Sequence, residues 1–220
     1  MKPRLHQRIL SFFYPVKIDT APGKTTPVLG LYRFQGRWQL SSATALYSDG
    51  AAYRPLTMAF DYLKKELPGK KNMLVLGAGL GSAISVLHKM NSNIPAVTLV
   101  DIDPQVIEWG REIIQSETGI SAEWICADVR TFVEQHHQQY DLIVLDVFQD
   151  RTVPAFVTSS FFLDHCKQLM SKQNSTLVFN YIVNNEKSWK ELLENIQGIF
   201  KLQYTIATGI NRIMILKNNA

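Results

Sequence analysis

The sequence predicts an α/β protein: a doubly wound, seven-stranded, mostly parallel sheet with an antiparallel last strand and a small N-terminal β unit. Three observations carry this. Apolar runs without alternation recur along the chain, as in strands buried on both faces of a parallel sheet. Helix-like segments follow these runs, so strands and helices alternate. The last two β-prone runs, 202–207 and 212–217, are joined only by the short Thr208-Gly-Ile-Asn211 link. A parallel crossover needs about a dozen residues, so these two strands must pair antiparallel.

Taken in order, residues 1–26 carry little pattern. Lys2, Arg4 and Arg8 form a loose basic group, which reads as a solvated tail. Residues 27–34 are apolar and β-prone, Gln35-Gly36 marks a turn, and 37–40 returns as a second strand. Residues 44–47 add a third before Ser48-Asp49-Gly50. A unit this small is not stable alone. Residues 1–52 must therefore pack on a main domain of 53–220, where they offer a lid or a homodimer surface. A helix is predicted over 53–67, with Leu56, Phe60 and Leu63 on one stripe and Pro68-Gly69 as its stop. Strand 72–76 and helix 80–90 follow, then strand 96–101 and helix 104–116. Asp103 suits the cap of that helix and Pro104 its first position. Strand 122–126 leads to helix 129–137, strand 141–146 to a loop and helix 159–170, and strand 175–182 to helix 186–199.

Composition excludes several classes. The 220 residues and 46% hydrophobic content suffice for one sizeable core. With 23 basic against 19 acidic residues the net charge is +4, too mild and too scattered to indicate nucleic acid. Cys126 and Cys166 lie far apart and match no metal spacing, so they read as thiols of a reducing compartment. His136 and His137 are adjacent and do not share a helix face. No metal site is expected. No apolar run reaches the roughly 18 residues a membrane span needs. The opening residues lack a signal-peptide core, so the expected location is cytoplasmic.

The chain centres on Met73-Leu-Val-Leu-Gly77-Ala-Gly79-Leu-Gly81-Ser82. An apolar strand runs into a glycine turn that opens a helix. Such a turn lets a ligand approach the backbone. About twenty residues on, the next strand ends in Asp101, placed to accept from ribose hydroxyls. Ligands of open α/β sheets bind at the carboxyl ends of the strands. Those ends carry Gly77, Gly79 and Gly81; then Asp101, Ile102 and Asp103; then Asp128 and Val129; then Asp146 and, four residues on, Asp150; then Asn180. Carboxylates at successive strand ends repel and are costly to desolvate. A ligand with ribose hydroxyls, an exocyclic amine and a positive centre would offset this. Asp101 would take the ribose, Asp128 an adenine amine, and Asp146 a cation or protonated amine. Structural roles compete: Asp103 and Asp128 as helix caps, Asp150 as a solvated loop residue. A nicotinamide enzyme fits less well, because its fingerprint wants a third glycine where Ser82 stands.

These residues resemble the class I methyltransferase fold, and within it the spermidine synthase-like branch. Val75-Leu-Gly77-Ala-Gly79-Leu-Gly81 resembles the cofactor loop, Leu99-Val-Asp101-Ile-Asp103 the ribose-binding strand end, Ala127-Asp128 the adenine-contacting pair, and Tyr140-Asp-Leu-Ile-Val-Leu-Asp146 the strand carrying the catalytic aspartate. Pro154 and Ser159-Ser-Phe-Phe162 fit the branch too. Gly36-Arg-Trp-Gln39 resembles its Asp-Gly-x-x-Gln motif, and Tyr53 stands where the branch has Tyr-His-Glu. The resemblance implies cofactor contacts from Gln39, Ile102 and Val129, and acceptor contacts from Tyr53 and Asp150. Three departures concern amine recognition. Leu80 replaces the loop aspartate of the polyamine-forming Gly-Gly-Gly-Asp-Gly-Gly. Tyr53-Arg54-Pro55 lacks the glutamate. Asp146-Val-Phe-Gln-Asp150 is one residue longer than Asp-x-x-Asp-Pro.

The expected activity is group transfer from S-adenosylmethionine or its decarboxylated form to a small molecule such as an amine, with Asp146 as the catalytic carboxylate. Leu80 favours methyl transfer, the family likeness aminopropyl transfer. The alternative is a non-catalytic adenosyl-nucleoside-binding or scaffold protein. A nucleic-acid methyltransferase fits least, since Val147-Phe148-Gln149 is not its Asn/Asp-Pro-Pro-aromatic tetrad.

Overall fold

The computed structural model describes residues 3–218; Lys2 of the basic group lies outside them. The small sheet holds β1 (Val16–Ala21), β2 (Leu29–Phe34), β3 (Arg37–Ser41) and β4 (Leu46–Ser48), antiparallel in that order. The main sheet holds β5 (Asn72–Leu76), β6 (Ala96–Asp101), β7 (Glu123–Cys126), β8 (Leu142–Leu145), β9 (Thr176–Ile182), β10 (Phe200–Thr208) and β11 (Asn211–Asn218). Its order is β10-β11-β9-β8-β5-β6-β7. Strands β5 to β9 pair in parallel. Strand β11 slots between β9 and β10, antiparallel to both. The helices are α1 (Leu5–Leu10), α2 (Arg54–Tyr62), α3 (Ser82–Lys89), α4 (Pro104–Thr118), α5 (Val129–Gln135), α6 (Ser160–Gln168) and α7 (Glu186–Ile199).

The unbroken apolar runs do what their pattern requires. Along β5, Leu74 and Leu76 enter one core with Ile143, Leu145, Leu177 and Phe179. Met73 and Val75 enter the other with Leu142, Val144 and Val178. Alternate side chains thus feed opposite faces, and each fully buried one contributes about 1.5–3 kcal/mol. Helix α4 stops at Gly119, whose φ of 69° is the left-handed conformation of a C-terminal cap.

The small sheet packs on α4. Leu29, Leu31, Trp38 and Leu40 form a cluster with Leu80, Val106, Trp109 and Ile113. Trp109 Nε1 donates to Asp19 Oδ2 (3.2 Å) and Arg33 pairs with Glu117 (2.6 Å). This core lies across the carboxyl edge of β5 and β6, so the small sheet roofs that edge.

Three expectations need correction. Residues 1–26 hold a helix and a strand. Strand β1 is an edge strand with no fully buried residue, so its alternation is too weak to stand out. The helix predicted over 53–67 ends at Tyr62; Glu66 N then donates to Leu63 O, a tightened turn before Pro68. Asp103 occupies the N-cap position of α4 without bonding the helix, and its Oδ1 accepts from Lys24 N instead (2.6 Å).

Candidate functional site

Gly77 ends β5 at the centre of the carboxyl edge, with Asp146 on the β8 side and Asp101 on the β6 side. Its φ is 85°, and a Cβ there would lie 2.2 Å from the Asp146 carbonyl oxygen. Any larger residue would push the two strand ends apart. Gly79, at φ 50°, leaves room for Ser48, whose Oγ accepts from Leu80 N (3.0 Å).

A cavity of about 320 Å³ opens along this edge, within the range of small-molecule sites. Gly77, Gly79, Asp101, Ile102, Asp128, Val129 and Asp146 line its floor. Thr25, Thr26, Leu29, Leu40 and Tyr47 roof it from the small sheet and the preceding loop. Asp101 Oδ2 accepts from Gly79 N (2.9 Å) and Oδ1 from Asp103 N (3.2 Å). Burial raises its pKa to about 6, against the lowering effect of these backbone donors. Asp128 caps α5 through Arg130 N (2.9 Å) and pairs with the Arg130 guanidinium (2.7 Å). That hydrogen bond holds its pKa below the usual value. The cap reading of Asp128 and its place in the cavity thus coexist.

Asp146 sits in a second network. Its Oδ1 accepts from Asn180 Nδ2 (2.8 Å) and from Tyr53 OH (3.2 Å). Asn180 is fully buried, and its Oδ1 accepts from Asn211 Nδ2 (2.9 Å). Asn211 therefore fixes which end of the Asn180 amide faces Asp146. Burial raises the Asp146 pKa to about 6, while its two donors lower it. Burial, with the Asp146 charge beside it, pushes Tyr53 well up, so its hydroxyl keeps its proton and donates.

Tyr53 and Asn211 also line a neighbouring chamber of about 480 Å³. Tyr47 and Phe148 line both spaces. Asp146 lines the first and is bonded to Tyr53, which lines the second, so the pair stands between the two, with Asp146 Oδ1 held and Oδ2 bonded to no described residue.

Of the other sequence-derived candidates, Asp150 lines the second chamber and the rest fall elsewhere. Gly81 does not line the cavity; it caps α3 at φ 78°, and a Cβ would press on Ile114 (2.7 Å) and Trp124. Gln39 does not line it either. Trp38 and Leu40 face the core, so by strand alternation Gln39 points away, and its Nε2 donates to Asp49 Oδ1 (2.9 Å). Asp150 is no free solvated residue. Its Oδ1 accepts from Ser42 (2.8 Å), Thr44 (2.8 Å) and Tyr47 (3.3 Å), tying the loop after β8 to the small sheet. Leu80 turns into the core under that sheet, so the loop offers no polar group at that position. Asn180 was visible as a strand end; Asn211, in a short link between strands, gave no signal at all. Among the described residues, no group of three or more His, Cys, Asp or Glu is placed to hold a metal.

An α/β sheet of this order, with a glycine turn at its carboxyl edge, is the fold shared by spermidine synthases and S-adenosylmethionine-dependent methyltransferases. A probable spermidine synthase from Corynebacterium glutamicum superposes with a TM-score of 0.73 at 17% identity, over 92% of this chain and 80% of that one. Human methyltransferase-like protein 13, solved with SAH, gives 0.61 at 19% over 77% and 82%. The model of the spermine/spermidine synthase domain matches residues 58–214, and the chain belongs to that family. A polyamine aminopropyltransferase of Clostridium botulinum is 28% identical over 145 residues, 61% of this chain and 50% of its own length. The chain thus spans about half the length of the curated relatives it matches. No described helix is long and apolar enough to cross a membrane.

Proposed function

We propose that the protein transfers a carbon group from an adenosyl sulfonium donor to the amine of a small acceptor. The observation that carries this is Asp146: a carboxylate with pKa about 6 that lines a nucleoside-sized cavity and is bonded to Tyr53, which lines a second chamber. The donor set fits an adenosyl group. Asp101 suits the ribose hydroxyls, Asp128 the exocyclic amine of the base, and Ile102, Val129 and Phe156 supply apolar walls. When bound, such a donor supplies a carbon on a positively charged sulfur: the acceptor nitrogen bonds to it as the carbon–sulfur bond breaks, and that bond's electron pair stays on sulfur. The chain positions both partners. Asp146 Oδ2 takes the proton that the nitrogen releases, and its raised pKa makes it a far better base than an ordinary aspartate. Tyr53 and Asn180 hold Oδ1, so only Oδ2 faces the reaction. The small sheet closes the cavity from above as its lid.

Family membership favours the aminopropyl group, and so decarboxylated S-adenosylmethionine. The methyl reading keeps one specific support, Leu80, which supplies no counter-charge for a donor ammonium. Calorimetric titration with S-adenosylmethionine, its decarboxylated form, methylthioadenosine and NAD tests the reading. Tight binding of one sulfonium form names the donor; binding of NAD alone overturns the assignment. Asp146→Asn is expected to lower turnover about 100-fold or more and to leave methylthioadenosine binding within a fewfold. Undiminished turnover in that variant would remove Asp146 as the base.

A further inference from the structure

The second chamber differs in charge from what a linear diamine needs. A diammonium is held by carboxylates spaced along its length, and the chamber has few to give. Asp49 is already paired with Arg37 (3.1 Å) and accepts from Gln39. Asp150 is turned to the small sheet, where one oxygen takes three hydroxyls. Asp146, bonded to the chamber's Tyr53, is the carboxylate of this group that lines the first cavity.

The chamber also carries two cations. Arg54, at the start of α2, lines the chamber and is exposed, with no acidic partner within ion-pair distance among the described residues. Arg151, in the loop after β8, lines it too; its Nε donates to Thr44 O (2.8 Å), which orients the guanidinium and leaves its other donors unspent. Pro55, Ile182 and Ile210 give the same chamber apolar surface.

We infer that the acceptor is an amine whose other end is a carboxylate, joined by an apolar spacer. The amine meets Asp146 and Tyr53, and the carboxylate meets Arg54 and Arg151. Guanidinium groups bind carboxylates with two parallel hydrogen bonds, whereas they repel a distal ammonium. This inference rests on the transfer reading above, and its test separates the two.

The protein is first saturated with methylthioadenosine, with binding followed by calorimetry. It is then titrated with a matched pair: γ-aminobutyrate and putrescine, chains of near-equal length differing at one end. The aminocarboxylate is expected to bind at least tenfold tighter. Arg54→Glu, an exposed change, is expected to reverse that order, and Arg54→Gln to abolish it while methylthioadenosine still binds. Putrescine binding as tightly as γ-aminobutyrate in the parent overturns the inference, as does binding of neither. Failure of methylthioadenosine itself takes down the transfer reading, and the inference with it.

Discussion

Along the floor of the first cavity, Gly77 follows β5 directly, Asp101 ends β6 and Asp128 comes two residues after β7, so the strand ends place all three. Across Asp146, the second chamber takes Tyr53 from the start of α2, Asn211 from the start of β11, Arg151 from the loop after β8, and Asp49 from the small sheet. One side is encoded by short stretches, the other by assembly. The difference teaches where this family's scaffold constrains the sequence. The nucleoside side depends on backbone geometry, such as the 2.2 Å approach that only a glycine at position 77 permits. The chamber side depends on side chains drawn from distant segments.

The sharpest way to break this contrast is Leu80→Asp, which restores the loop aspartate of polyamine-forming relatives. If local sequence alone set the site, the variant would gain affinity for decarboxylated S-adenosylmethionine. Because Leu80 is buried against Leu29, Trp38 and Trp109, the expected outcome is destabilisation of about 4 kcal/mol in urea unfolding, from an unpaired buried charge, with no gain in affinity. Parent-like stability would mean that the side chain turns into the cavity.

A pH series sharpens the comparison next, because Asp101 stands on the first side and Asp146, with Tyr53, between the two. Burial raises both to about 6. The folded state therefore binds more protons than the unfolded chain between about pH 4 and 6. The stabilising contribution is fully present below pH 4 and is lost as pH rises through about 6. Asp128 and Asp141, held below the usual value, act in the opposite sense, and only at lower pH. Between pH 5 and 7.5 stability should fall, by about 1.4 kcal/mol per raised carboxylate. Asp101→Asn and Asp146→Asn should each flatten part of that fall. A parent-like slope in both variants would show that burial does not set these two groups.

The smallest effect expected is that of Asn211→Ala. It frees the Asn180 amide to rotate, at a cost of about 1 kcal/mol in stability. Asn211 touches neither Asp146 nor Tyr53, so a purely structural role would leave the pH profile of turnover in place. Its positioning role predicts a lower kcat at little-changed KM, with the acid limb of kcat/KM moved upward as Asp146 loses a donor.

The sequence by itself determined the α/β class, the antiparallel end of the main sheet, and the strand ends that line the first cavity. These follow from period and spacing: β5 and β6 occur where their apolar runs stand, and a short link cannot cross over. Only the tertiary structure placed β11 between β9 and β10, turned Asp103 to the Lys24 amide, made Asp150 a tie to the small sheet, and removed Gly81 and Gln39 from the cavity. It alone joined Asn211 to Asn180, 31 positions apart, and brought Tyr53 to Asp146, 93 apart. The physical reason is range. Periodicity and turn chemistry act over a few residues. Side-chain partners, burial and the pKa shifts they cause are set by whichever segments packing brings together.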